Sequence, residues 1–279
     1  MRLRGVRGSR NVEDRRGRRG KAGAGIGGIG LLVVLAVGYF SGIDVTPLLQ
    51  GQQPSTQSGE PRALSAEEKQ AGEFSARVLA TTEAVWSKIF PAQIGKEYRP
   101  PVMVLYSGVT SSPCGNASGA TGPFYCPADR KAYLDTEFFS TLSRQMGAKG
   151  DFAAAYVIAH EVAHHVQNEI GILPEVNKRR QSVSRTEANA LTVRLELQAD
   201  CLSGVWARSV DGMLEPGDLE EALNAARKIG DDHLQKRAGK VPQPHTFTHG
   251  TSEQRSRWFA TGYQSGDPGQ CDTFGTDRL

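Results

Sequence analysis

The sequence predicts an α+β protein, mostly helical with a small β-sheet, preceded by one N-terminal transmembrane helix. Three observations carry that expectation. Most of the chain after residue 65 places apolar residues at helical spacing. Two short runs, Pro100-Pro-Val-Met-Val-Leu-Tyr106 and Lys131-Ala-Tyr-Leu-Asp135, read as strands. Residues 24–43 hold no charged side chain, and twenty helical residues span about 30 Å, enough for a bilayer core.

Charge divides the chain. Residues 1–21 carry nine Arg or Lys against Glu13 and Asp14, a net of +7, so the whole-chain +3 leaves −4 for residues 22–279. Residues 1–23 therefore read as a basic cytoplasmic tail ahead of a span at 24–43, with the N-terminus cytoplasmic. A cleaved signal peptide is the rival reading, but Gly38-Tyr-Phe-Ser-Gly-Ile43 offers no clear cleavage site. Nucleic-acid binding by the tail is disfavoured because the charges adjoin an apolar span. Pro47, Pro54 and Pro61 among Gln, Ser and Gly make residues 44–64 a flexible linker. Residues 65–279 form one folded domain, outside the cytoplasm on this reading.

Within the domain, Ser65-Ala-Glu-Glu68 is a capping box that starts a helix to Ile89, with Phe74, Val78, Leu79, Val85 and Trp86 as core candidates. A strand after Pro100 ends at Tyr106, and a Gly/Ser-rich loop follows from Ser107 to Pro123. Further helices are expected over about 136–146, 152–171, 184–210, 216–229 and 252–262, with Gly171 a natural stop. Four cysteines in an oxidising compartment favour disulfides. Cys114–Cys126 would close the loop and Cys201–Cys271 would tie the C-terminal tail to a helix. Three connectivities are possible, so this pairing is a choice.

The chemistry concentrates in Tyr156-Val-Ile-Ala-His-Glu-Val-Ala-His-His-Val-Gln167. His160 and His164 lie four apart, one turn apart on one helix face, where two neutral imidazoles can grip one Zn²⁺. Glu161 can address water on that metal. A catalytic zinc needs a third protein ligand and an open position. Arg194-Leu-Glu-Leu-Gln-Ala-Asp-Cys-Leu-Ser-Gly204 supplies Glu196 as that ligand. Asp200, one turn on, is the acceptor that fixes the tautomer and tilt of one zinc histidine. Ala199 and Gly204 permit close helix approach. His249, in a loop before a helix cap, is the candidate donor to an oxyanion; Tyr263 and His245 are weaker ones. His165 points about 100° away from His164 round the helix and is left out.

These residues resemble the bacterial neutral zinc metallopeptidase family, whose members are membrane-anchored. The resemblance rests on His160-Glu-x-x-His164 with Glu196-x-x-x-Asp200. It extends to Asn11-Val-Glu-Asp-Arg-Arg16, Gly122-Pro-Phe-Tyr-Cys-Pro127, Gly150-Asp-Phe-Ala-Ala-Ala-Tyr156, Glu220-Glu-Ala-Leu-Asn-Ala-Ala226, Ile229-Gly-Asp-Asp232 and Phe247-Thr-His-Gly-Thr-Ser-Glu-Gln-Arg255. It implies a zincin-like fold with an edge strand beside the metal helix, a role it assigns to Lys131–Asp135. It also implies a membrane-anchored, zinc-dependent endopeptidase acting on a peptide or protein substrate, with Glu161 as general base. A different class also fits: a zinc-stabilised, non-catalytic assembly or chaperone factor tethered to the membrane. Glu161 argues against that class, because a structural site needs no base beside an open position.

Overall fold

A computed structural model describes residues 1–17, 63–118 and 122–279. The span expected at 24–43 and nearly all of the linker lie outside these residues. Among the described residues no helix is long and apolar enough to cross a membrane.

The helix that carries His160, here α2 (Asp151–Ile170), runs through the interior. Phe152, Ala155, Ile158, Val162, Ala163 and Val166 are all buried, so apolar surface surrounds the helix on most sides. It stops at Gly171, whose φ of 92° suits a residue without Cβ. Helix α1 (Ala66–Ile89) packs on it through Val78, Leu79, Val85 and Trp86, while Phe74 stays half-buried. The capping box of α1 is formed as expected, with Ser65 and Glu68 bonding each other's backbone N–H.

A helix the sequence reading left out, α3 (Ile172–Arg180), links α2 to α4 (Arg185–Ser209). Then follow α5 (Asp218–Lys228), the unanticipated short α6 (Asp231–Arg237) and α7 (Ser252–Ser265). Helices α4 and α7 cross at van der Waals distance. A Cβ on Gly204 would fall 2.1 Å from the Phe259 carbonyl oxygen, and one on Gly262 would fall 1.8 Å from that of Cys201. Gly204 therefore serves the approach of α7 rather than of α2.

Strands β1 (Val12–Asp14), β2 (Val102–Tyr106), β5 (Phe124–Cys126) and β6 (Lys131–Asp135) form one sheet in the order β1-β2-β6-β5. β2 and β6 are parallel with Val104 beside Tyr133, and β5 runs antiparallel to β6. Lys131–Asp135 is thus an interior strand, not the edge strand the resemblance assigns. Among the described residues the edge on that side is β5, and its Tyr125 hydroxyl lies 3.0 Å from His165 Nδ1 on α2. The expected Gly/Ser loop contains a hairpin, β3 (Val109–Ser112) with β4 (Gly115–Ser118). The region 136–146 is only a short turn at Phe138–Ser140 and a π-helical turn at Thr141–Gln145. Both proposed disulfides are present, Cys114–Cys126 and Cys201–Cys271.

The largest correction concerns the N-terminal tail. Residues 1–15 belong to the same compact unit as residues 65–279. Met1 and Leu3 are buried while Arg2 and Arg4 stay exposed, an alternation visible in Met1-Arg-Leu-Arg4 but masked by its net charge. Asn11 Nδ2 and Ser9 Oγ donate to Glu83 Oε1 at 2.8 and 2.6 Å. β1 then adds to β2, with Val12 beside Met103. Glu13 accepts from Arg15 Nε at 2.9 Å and from Lys131 Nζ at 2.7 Å. Arg15 and Lys131 draw the Glu13 carboxyl down from an ordinary 4.5 to about 2.

A depressed carboxylate pKa stabilises the folded form fully above pH 4.5 and loses that contribution as pH falls towards 2. Hydrogen-exchange protection of β1 should fade across that window, and Glu13→Gln should flatten the dependence. Unchanged protection down to pH 2 would show that these ion pairs do not anchor the strand. Gly262→Ala should cost about 3 kcal/mol or more by chemical denaturation, because backbone rather than a flexible side chain blocks the added methyl. Wild-type stability in that variant would refute the close crossing.

Candidate metal centre

Helices α2 and α4 bring His160, His164 and Glu196 to one point. His160 Nε2 lies 3.1 Å from Glu196 Oε2, and His164 Nε2 lies 3.4 Å from Glu196 Oε1. One donor atom from each residue lies within 4.8 Å of the others. Ligands about 2.05 Å from a tetrahedral zinc are separated by about 3.3 Å, so these spacings suit one shared ion. The donor set, two imidazole nitrogens and a carboxylate, is also a zinc set. Both histidines are buried and Glu196 is nearly so.

Electrostatics within the cluster favour a shared positive charge. Burial works against a proton on His160, but Asp200 and Glu196 outweigh it and raise the ring to about 10. Burial is likewise overcome at His164, chiefly by Glu196, and its pKa also rises. Burial alone would raise the Glu196 carboxyl; His164 and His160, with a smaller pull from His249, hold it well below its ordinary range. Glu161 behaves differently. Burial lifts its pKa although His164 and His160 pull the other way, which leaves it a better proton acceptor than an exposed carboxylate.

Comparison with known proteins agrees with this geometry. The model of the family described as "Putative neutral zinc metallopeptidase" matches residues 1–274. The chain belongs to this family. It is 50% identical over 247 residues to "Uncharacterized protein YpfJ" of Escherichia coli (strain K12), covering 88% of this chain and 85% of that protein. It is 43% identical over 219 residues to "Uncharacterized protein Rv2575" of Mycobacterium tuberculosis (strain ATCC 25618 / H37Rv), covering 73% and 71%. No solved structure matches.

In this member of the family the residues behind the donors divide the work. Asp200 Oδ1 stands 3.0 Å from His160 Nδ1, the ring sequence reasoning left unspecified. That approach is close but not aligned as a hydrogen bond, since Nδ1 has no bonded partner. His164 is backed by a residue the sequence reading missed: its Nδ1 donates to Gln167 Oε1 at 2.9 Å. Gln167 Nε2 donates to the Leu195 carbonyl at 2.7 Å and to Gln198 Oε1 at 3.1 Å. Gln198 Nε2 donates to the Cys271 carbonyl at 3.0 Å. Gln167 follows His164 by three residues on one helix face, so its spacing was a usable signal.

His249 is exposed at the rim. Its Nδ1 is 3.3 Å from Asp231 Oδ1, and Asp231 Oδ2 accepts the backbone N–H groups of Thr248, His249 and Gly250 at 2.8, 2.6 and 3.0 Å. Asp231, from the unanticipated α6, thus fixes the His249 loop. Tyr263 is committed elsewhere, its hydroxyl donating to Asp211 at 2.5 Å, and the His245 carbonyl accepts from Asn189. His165 is a packing residue held by Tyr125 and the Arg99 carbonyl.

Because protons and a metal ion compete for the same nitrogens, zinc uptake near pH 7 should release protons, and zinc affinity should fall as pH is lowered. Calorimetry in buffers of different ionisation enthalpy measures both. Zinc binding with no proton release would contradict the upward shift of the two imidazoles.

Proposed function

We infer that this metallopeptidase is a zinc-dependent endopeptidase cleaving peptide or protein substrates. The observation that carries the reading is the convergence of His160, His164 and Glu196 beside Glu161. His160, His164 and Glu196 hold the ion. Zinc bound there supplies Lewis-acid polarisation and activation of water.

The chain's own residues do the rest. Glu161, with its carboxyl poised upward by burial, takes the proton of the attacking water and delivers it to the leaving nitrogen. His249, anchored by Asp231, donates to the oxyanion that develops on the scissile carbonyl. Among the described residues β5 is the sheet edge nearest α2, and an extended substrate adds there in the manner of β-strand addition. Gln167 and Asp200 keep the two rings aimed.

The two disulfides favour an oxidising compartment, and residues 24–43 remain the candidate membrane contact. A single crossing there would leave residues 1–15 and 65–279 on opposite faces. The pairing of β1 with β2 opposes that arrangement, so we place both flanks on the same side.

Glu161→Gln in the full chain should retain zinc by elemental analysis and lose cleavage of an unfolded protein by about 10³-fold or more. Retained cleavage would end the mechanism, and retained zinc with no cleavage by the wild-type chain would favour the non-catalytic assembly role. His249→Ala should lower kcat about 10²-fold with little change in KM. An equal loss confined to KM would instead make His249 a substrate-binding residue.

A further inference from the structure

The metal-facing ring of His160 is backed by a charge that comes from a third helix. Asp200 is fully buried, and its carboxylate carries four contacts. Tyr156 donates its hydroxyl to Oδ1 at 2.5 Å. Arg255 donates Nε to Oδ2 at 2.8 Å and Nη2 to Oδ1 at 2.9 Å. The fourth is His160 Nδ1 at 3.0 Å. Arg255 is only 1% exposed, and it also donates from Nη2 to the Tyr156 hydroxyl at 3.2 Å and from Nη1 to the Ile229 carbonyl at 3.3 Å.

Building on the zinc reading, we propose that Arg255 is a positioning residue of the metal centre, acting through Asp200 on the aim of His160. A planar guanidinium that grips both carboxylate oxygens fixes the plane of that carboxylate as well as its place. His160 Nδ1 makes no aligned hydrogen bond among the described residues, and the Asp200 carboxylate 3.0 Å away is the acceptor placed to fix the ring's rotation. Tyr156 lies one turn before His160 on α2 and closes the circuit, tying the same carboxylate to the helix that bears both imidazoles.

The reach of Arg255 is built into the helix crossing. Gly262 lies two turns after Arg255 on α7, and Gly204 lies one turn after Asp200 on α4. At both glycines a Cβ would collide with the opposing backbone. Larger residues there would push α7 outward and withdraw the guanidinium from the carboxylate. Burying an arginine this fully is costly unless its charge is matched, and an ion pair replaced by apolar side chains is often no less stable. Aim at the metal ligand gives this pair a purpose beyond stability.

The test uses the full chain, with zinc affinity measured by chelator competition and the visible spectrum of the cobalt(II)-substituted protein as a readout of ligand geometry. Arg255→Gln should weaken zinc binding about 10–100-fold and alter the cobalt spectrum. Arg255→Lys, which keeps the charge but not the fork, should recover part of the loss. In an Asp200→Asn background, Arg255→Gln should cost no further affinity, because the path through Asp200 is already cut. That double variant also removes both buried charges, so it decides the matter if Arg255→Gln alone does not fold. Unchanged affinity and spectrum in folded Arg255→Gln, or additive losses in the double variant, would reduce Arg255 to a structural ion pair. A wild-type chain that takes up no zinc would instead overturn the metallopeptidase reading itself, and this inference with it.

Discussion

Two imidazoles and a carboxylate buried within a few ångströms of each other favour a shared positive charge. That constraint shapes the molecule. Desolvation disfavours every ionised form, yet mutual attraction holds Glu196 ionised and raises both histidines. A proton can serve as the shared cation, but a divalent ion serves better, because it is coordinated by all three donors at once. The interior position of α2, set by its apolar residues, serves this cluster. A helix buried on most sides cannot swing its rings away, so the donors stay converged.

The same demand propagates outward through hydrogen bonds. Each ring needs its second nitrogen fixed, and the two solutions differ. His164 uses a neutral relay through Gln167 and Gln198 to the Cys271 carbonyl, so the disulfide-tied C-terminal segment supports one ligand. His160 uses a charged relay through Asp200 to Arg255. The charged relay demands tight α4–α7 packing, which Gly204 and Gly262 supply. Both relays pass through α4, which therefore bears a candidate metal ligand, two supports and a disulfide cysteine within six residues, from Glu196 to Cys201.

Much of this was legible in the sequence because local periodicity carried it. His160 and His164, like Glu196 and Asp200, are pairs four apart, and a helix turns such pairs into shared faces without help from the rest of the chain. The Ser65 capping box and the Gly171 stop are equally local. The misreadings share a different cause. The resemblance assigns the edge to β6, but strand order depends on pairing partners, and β5, the edge strand among the described residues, is only three residues long. The Met1–Arg15 stretch was taken as a tail because its arginines dominate its composition, whereas Met1, Leu3 and Val12 find burial only once α1 and β2 exist.

The sequence by itself determined the pairs His160/His164 and Glu196/Asp200, the helices that display them and the four cysteines, since each depends on spacing along one chain segment. Only the tertiary structure decided which ring Asp200 stands behind, that Arg255 enters the site and that residues 1–15 join the sheet. Those outcomes depend on contacts between distant parts of the chain, such as Arg255 with Asp200, 55 positions away, and with Tyr156, 99 positions away. No periodicity encodes such contacts. They are fixed by which surfaces pack together, and by the cost of leaving a buried charge without its partner.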